Sequence, residues 1–115
     1  MNTPHIFHFT PKELWNAKNP SDYLPKGFDS EGFIHCSFSH QLFRSVNKHA
    51  DKSKTHVVLK INPKALTSKL VYENTSGGTE DYPHIYGPIN REAILEEFDL
   101  VFTADGSFNL PPTDE

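Results

Sequence analysis

Cysteine, arginine and long apolar runs are the scarce features of this 115-residue chain, and each scarcity excludes something. The one cysteine, Cys36, cannot close an internal disulfide, which points to a reducing cytosol. No apolar run approaches the roughly 18 residues that a membrane-spanning helix needs. The N-terminus, "MNTPHIFHF", lacks a basic region followed by an apolar stretch and a small-residue cleavage site, so no secretory signal is expected. A basic excess is also missing. The net charge of −4 argues against a general polyanion binder, and RNA is not the expected partner. Arginine occurs twice, as Arg44 and Arg91. What remains is an ordinary globular composition, 36% hydrophobic and 23% charged, with enough chain for one modest core. Residues 1–110 read as one domain and as a monomer, with 111–115 as a loose tail.

Local patterns give an order of elements. Residues 5–10, "HIFHFT", read as an opening strand. Thr10-Pro11-Lys12-Glu13 reads as a capping box with proline at the first helical position, predicting a helix over 11–18 with Leu14 and Trp15 turned to the core. Asn19-Pro20 stops it, and a loop rich in turn residues follows. "GFIHCS", residues 32–37, is a strand. The next segment places Leu42, Phe43, Val46 and Ala50 on one helical face, and Arg44, Lys48 and Lys52 on another. "THVVLKIN" alternates, with Val57, Leu59 and Ile61 opposite His56, Val58 and Lys60. "KLVYEN" and "PHIYG" are further strands around the glycine-containing loop "TSGGTED". "NREAILEE" predicts a helical turn or short helix, and "FDLVFTA" a final strand. The predicted fold class is α+β, with mostly antiparallel sheets and two main helices packed against them.

Seven histidines in a small acidic domain are the compositional surprise. Strand alternation sorts "FIHCS": Ile34 and Cys36 face the core, while Phe33, His35 and Ser37 face a cleft. A Cys36–His35 dyad is thereby disfavoured, because neighbours on a strand point apart, and Cys36 reads as a small buried hydrophobe. Ser37 reads equally as a helix cap or a ligand contact. A buried imidazole needs partners for both ring nitrogens, so His35 and His8 read either as structural hubs or as site residues. His84 and Tyr86 share a strand face. Glu73 reads as a solvated residue unless it faces a cleft. His40, His49 and His56 are expected to be exposed. The strip Arg44, Lys48, Lys52, Lys54 is expected to be a solvated helix face. No histidine pair has the spacing of a zinc motif, so no metal is expected.

The series "IFHFT", "EGFIHCS", "NPKAL" and "YPHIYGPI" resembles the bacterial domain-of-unknown-function 952 family over nearly the whole chain. That resemblance implies an ADP-ribosyltransferase-like fold near the RNA 2′-phosphotransferase-like branch. In that superfamily a histidine on the first core strand contacts the ribose of NAD, and a second polar residue comes from the next strand. By position, His8 resembles the first and His35 the second, and Glu73 is the nearest candidate for a later catalytic glutamate. The implied candidates are therefore His8, His35 and Glu73 for catalysis, and Ser37, His84 and Tyr86 for binding a nucleotide, with NAD as a substrate. Phosphotransfer to RNA fits less well, since that branch uses several arginines. The expectation is a cytosolic domain that binds an NAD-like or ADP-ribose-containing nucleotide, with transfer or hydrolysis at the nicotinamide ribose left open. The alternative is a non-catalytic module for another small molecule or a protein.

Overall fold

The computed structural model describes residues 4–16, 23–24, 28–74 and 78–110. In chain order the elements are β1 (Ile6–Pro11), α1 (Lys12–Asn16), α2 (Phe28–Glu31), β2 (Ile34–His35), β3 (Ser37–Phe38), α3 (Ser39–His49), β4 (His56–Ile61), β5 (Lys69–Glu73), β6 (Tyr82–Tyr86) and β7 (Ile94–Leu100). They form two antiparallel sheets, ordered β3-β1-β4-β7 and β2-β6-β5. The α+β class is as predicted. Among the described residues α3 is the long helix, α2 is a single turn, and α1 is described over Lys12–Asn16.

Alternation explains the layers. In β1 and β4, Ile6, Val57, Leu59 and Ile61 point into a core shared with Ile34 and Ile85 of the second sheet and with Cys36. Phe7 and Val58 point the other way, onto Leu42 and Val46 of α3. The first sheet is therefore sandwiched, and every residue of β4 is buried. His56, expected on the surface, is 2% exposed. It packs edge-on to Phe102, and its Nδ1 donates to the Lys54 carbonyl at 3.0 Å. Lys60 is buried too, its ammonium 3.8 Å from Glu96.

Three further expectations change. Trp15 is core, with its indole N–H on Glu97 Oε1 at 3.0 Å, but Leu14 is 37% exposed. Thr10 and Pro11 are the last residues of β1 rather than a cap and first helical position, α1 begins at Lys12, and the Thr10 hydroxyl accepts from Tyr23 Oη at 3.0 Å. The helical segment of "NREAILEE" is one 3₁₀ turn, Arg91–Ala93, after which Ile94 already begins β7. Pairing with β4 overrides the helix propensity of the Glu-, Ala- and Leu-rich stretch. The predicted end of the first helix at Asn19-Pro20 and the tail 111–115 lie outside the described residues. Among the described residues no helix is long and apolar enough to cross a membrane.

"GFIHCS" is not one strand. Ile34–His35 pairs with β6 in the second sheet, while Ser37–Phe38 pairs with β1 in the first. Cys36 is the crossing point, its N–H on the Pro83 carbonyl at 3.0 Å. Gly32 makes the entry possible: at φ 85° it ends α2, and its N–H reaches the Phe28 carbonyl at 2.7 Å.

Candidate functional site

The second sheet has one face in the core and one face bearing polar and aromatic groups. Its register places His35 opposite His84, His84 opposite Val71, and Glu73 opposite Tyr82. Alternation therefore puts Ile34, Ile85 and Leu70 inward and His35, His84, Tyr86 and Glu73 together on the other face.

Hydrogen bonding orders this face. Glu73 Oε2 accepts from Tyr86 Oη and from His84 Nδ1, the latter at 2.8 Å. The Tyr86 hydroxyl and His84 together hold the Glu73 carboxyl below its usual range, and Glu73 in turn pushes the Tyr86 phenol up. An ionised carboxylate only accepts, so His84 Nδ1 carries a proton. In the neutral imidazole its Nε2 is then an acceptor, and it faces His35 Nδ1 at 3.3 Å. His35 Nδ1 then donates, which leaves its own Nε2 as an acceptor. Phe33 stacks on His84 with centroids 4.0 Å apart and ring planes 15° apart, which fixes the middle ring. Burial, helped by His84, His49 and His8, pushes His35 down to about 4, so it stays neutral at pH 7.

His8 meets His35 at the backbone. Its Nδ1 donates to the His35 backbone carbonyl at 2.9 Å. Its Nε2 is buried with no hydrogen-bond partner among the described residues, and burial pushes His8 down to about 4. Among the described residues, a tilted Tyr23 ring lies 5.7 Å from the imidazole. Cys36 is 1% exposed, and burial pushes its thiol up. Ser37, also 1% exposed, does not cap α3: its hydroxyl donates to Ser45 Oγ at 2.9 Å. The cap is Gln41, whose Oε1 accepts from the Phe38 N–H at 3.0 Å.

A cleft of about 160 Å³ opens where α3 runs past β2 and β6. It is lined by His35, Arg44, Ser45, Lys48, His49 and Tyr82. Of the sequence candidates, His35 alone lines it. His84, Glu73 and Tyr86 stand behind His35, and His8 touches only its backbone. Arg44, Lys48, His49 and Tyr82 were not candidates. The signal for the first two was their helical spacing of four, which is shared by many solvated faces. The expected strip divides, since Lys54 pairs with Glu13 at 2.9 Å and Lys52 binds Asn47 at 2.7 Å. Gln41 Nε2 holds Glu80 Oε1 at 3.1 Å and the Asp81 carbonyl at 3.0 Å, which brings the segment before β6 against α3. Among the described residues no group of three His, Cys, Asp or Glu side chains is placed to hold a metal.

A family model described as "Protein of unknown function (DUF952)" matches residues 9–97. The chain belongs to the DUF952 family. This DUF952 member is similar to the crystal structure of protein CC0527 from Caulobacter crescentus, with a TM-score of 0.79 and 26% identity over 91% of this chain and 93% of that one. The solution NMR structure of CC0527 gives a TM-score of 0.73 and 26% identity over 89% of each chain. No curated protein matches the chain. DUF952 membership thus brings a shared fold and no assigned reaction.

Proposed function

We propose that this DUF952 domain binds an NAD-like or ADP-ribose-containing nucleotide, with a ribose hydroxyl donating to His35 Nε2, and that it does so as a cytosolic monomer of ADP-ribosyltransferase-like ancestry. The observation that carries the reading is the chain Glu73–His84–His35, which leaves one tautomerically defined acceptor at a cleft. A hydrogen-bonded histidine with no task at Nε2 needs no such backing. Phe33 and the partly exposed Tyr86 lie 5.6 Å apart on the same face and offer flat surfaces for a base or nicotinamide ring.

A specific observation favours binding without catalysis as the second reading. Cleavage at the nicotinamide ribose passes through an oxocarbenium-like centre, which wants a carboxylate beside it. Glu73 is the carboxylate of this face, and both Tyr86 and His84 already engage it. It reaches the cleft through His84 rather than directly.

An NMR titration with NAD, ADP-ribose and nicotinamide tests the reading. Shifts centred on His35, Tyr82 and α3 are expected with the first two ligands. A flat response at millimolar ligand sinks it. Incubation with NAD then separates the two versions: release of nicotinamide that Glu73→Gln abolishes supports catalysis, and binding without release supports the module.

A further inference from the structure

The walls of the cleft differ in chemistry. Arg44, Ser45, Lys48 and His49 come from α3, and His35 and Tyr82 from the second sheet. None of the six is a carboxylate, and donors dominate. Lys48 supplies an exposed ammonium. Arg44 Nη2 donates to Glu80 and, at 3.1 Å, to Tyr82 Oη, which leaves its other N–H groups for a ligand. Because Tyr82 Oη accepts from Arg44, the phenol can donate its own proton. Ser45 Oγ accepts from Ser37 and can likewise donate. The neighbouring carboxylate, Glu80, is outside the lining, and Gln41 and Arg44 hold its carboxyl below the usual range. His35 contributes the one defined acceptor.

Size narrows the ligand. A pocket that engulfs a drug-sized molecule takes about 300–1,000 Å³. About 160 Å³ admits a phosphate with its sugar but not a whole dinucleotide. Four donors on one lining, two of them from cationic side chains and one of these, Arg44, shared with Glu80, match the oxygens of a phosphoryl group.

We propose that the cleft is a phosphate subsite for a sugar phosphate, with the phosphoryl oxygens on Lys48, Arg44, Ser45 and Tyr82 and a neighbouring hydroxyl on His35 Nε2. The identity of the sugar rests on the nucleotide reading above, but the anion site does not. Glu73 and His84 are positioning residues in this scheme, since they set the His35 tautomer without touching the ligand.

The test is an NMR titration of the full chain with ribose 5-phosphate, ribose and inorganic phosphate, repeated on Lys48→Ala and Ser45→Ala. Ribose 5-phosphate is expected to shift residues 44–49 and 82 and to bind more tightly than either fragment. Lys48→Ala should weaken it at least about tenfold, the effect of one charge-assisted hydrogen bond. Lys48 is exposed, so this variant should fold, while Ser45→Ala is a smaller second probe. Equal binding by wild type and Lys48→Ala overturns the subsite, as do shifts scattered over all surface lysines. ADP-ribose separates the two proposals. If it shifts His35 equally in wild type and Lys48→Ala, the nucleotide reading stands and the subsite falls. If ribose 5-phosphate binds at Lys48 while ADP-ribose and NAD leave His35 unmoved, the subsite stands and the nucleotide reading falls.

Discussion

His8 shows how one residue couples the site to stability. It is 9% exposed, its Nδ1 proton is spent on the His35 carbonyl, and its Nε2 is buried with no hydrogen-bond partner among the described residues. Protonating it in the folded state would bury a charge, which is why burial lowers it to about 4 from an ordinary 6.5. The unfolded chain therefore binds a proton that the folded chain refuses between these values. The stabilisation is complete above about pH 6.5 and is lost as the pH falls toward 4, up to on the order of 3 kcal/mol for this one group. His35, lowered in the same direction, adds to the slope. Glu73 and Glu80 are lowered carboxyls, whose contributions fade below the ordinary carboxylate range, so the histidines dominate between about pH 4.5 and 6.5. His8→Gln keeps an N–H for the His35 carbonyl and removes the titration. Urea unfolding at pH 7.0, 5.5 and 4.5 should show a clearly smaller loss in the variant. The same loss in both proteins would show that folding does not lower the pKa of His8.

Among the elements, the "PHIYGP" turn has a steric reason that its sequence does not display. Gly87 has φ 159°, and a Cβ built there would stand 2.5 Å from Ser68 Oγ and 2.9 Å from Ser68 Cβ. Ser68 is fixed in turn, its hydroxyl on the Pro88 carbonyl at 2.7 Å. Gly87→Ala should therefore cost about 1–3 kcal/mol by overpacking the exit of β6. Adding Ser68→Gly should recover much of it, measured as the coupling in a urea double-mutant cycle; additive losses would sink the steric account. The legible parts of this fold share one property, which is local periodicity. Alternation separated Ile34 and Cys36 from His35, and it put His84 and Tyr86 on one face. It could not reveal that the strand changes sheets at Cys36, because a two-residue ladder has no period to read. Ile94 to Glu97 looked helical in isolation and became strand through β4. The cleft was illegible for the same reason: Gln41 meets Glu80 and Asp81 through contacts that no local pattern encodes. Glu73 resembled a lone surface residue until the β5–β6 register set it beside His84.

At the scale of the whole molecule, β4 is the wall that both cores share, and this determines how the site is held. Leu59 and Val57 serve the core between the sheets, which carries Ile34 and Ile85 and hence the inner side of the histidine face. Val58 serves the core under α3, which carries Leu42 and Val46 and hence the α3 wall of the cleft. An alternating strand with one solvated face would tolerate substitution at every second position. Here neither set should be tolerant. Leu59→Ala is expected to cost about 2–5 kcal/mol, and Val58→Ala about 2 kcal/mol, its smaller side chain leaving a smaller cavity. Val58→Lys should be worse than either, since it buries an unpaired ammonium against Leu42 and Val46. Urea denaturation checks the three values, and the readout should include the amides of both His35 and Lys48. Because the cleft lies between parts supported by different cores, each alanine variant should disturb its own wall first: Leu59→Ala the histidine face, Val58→Ala the helix. A fully tolerated Val58→Lys would mean that α3 does not close that face of the sheet, and the cleft would lose the wall that supplies its cations.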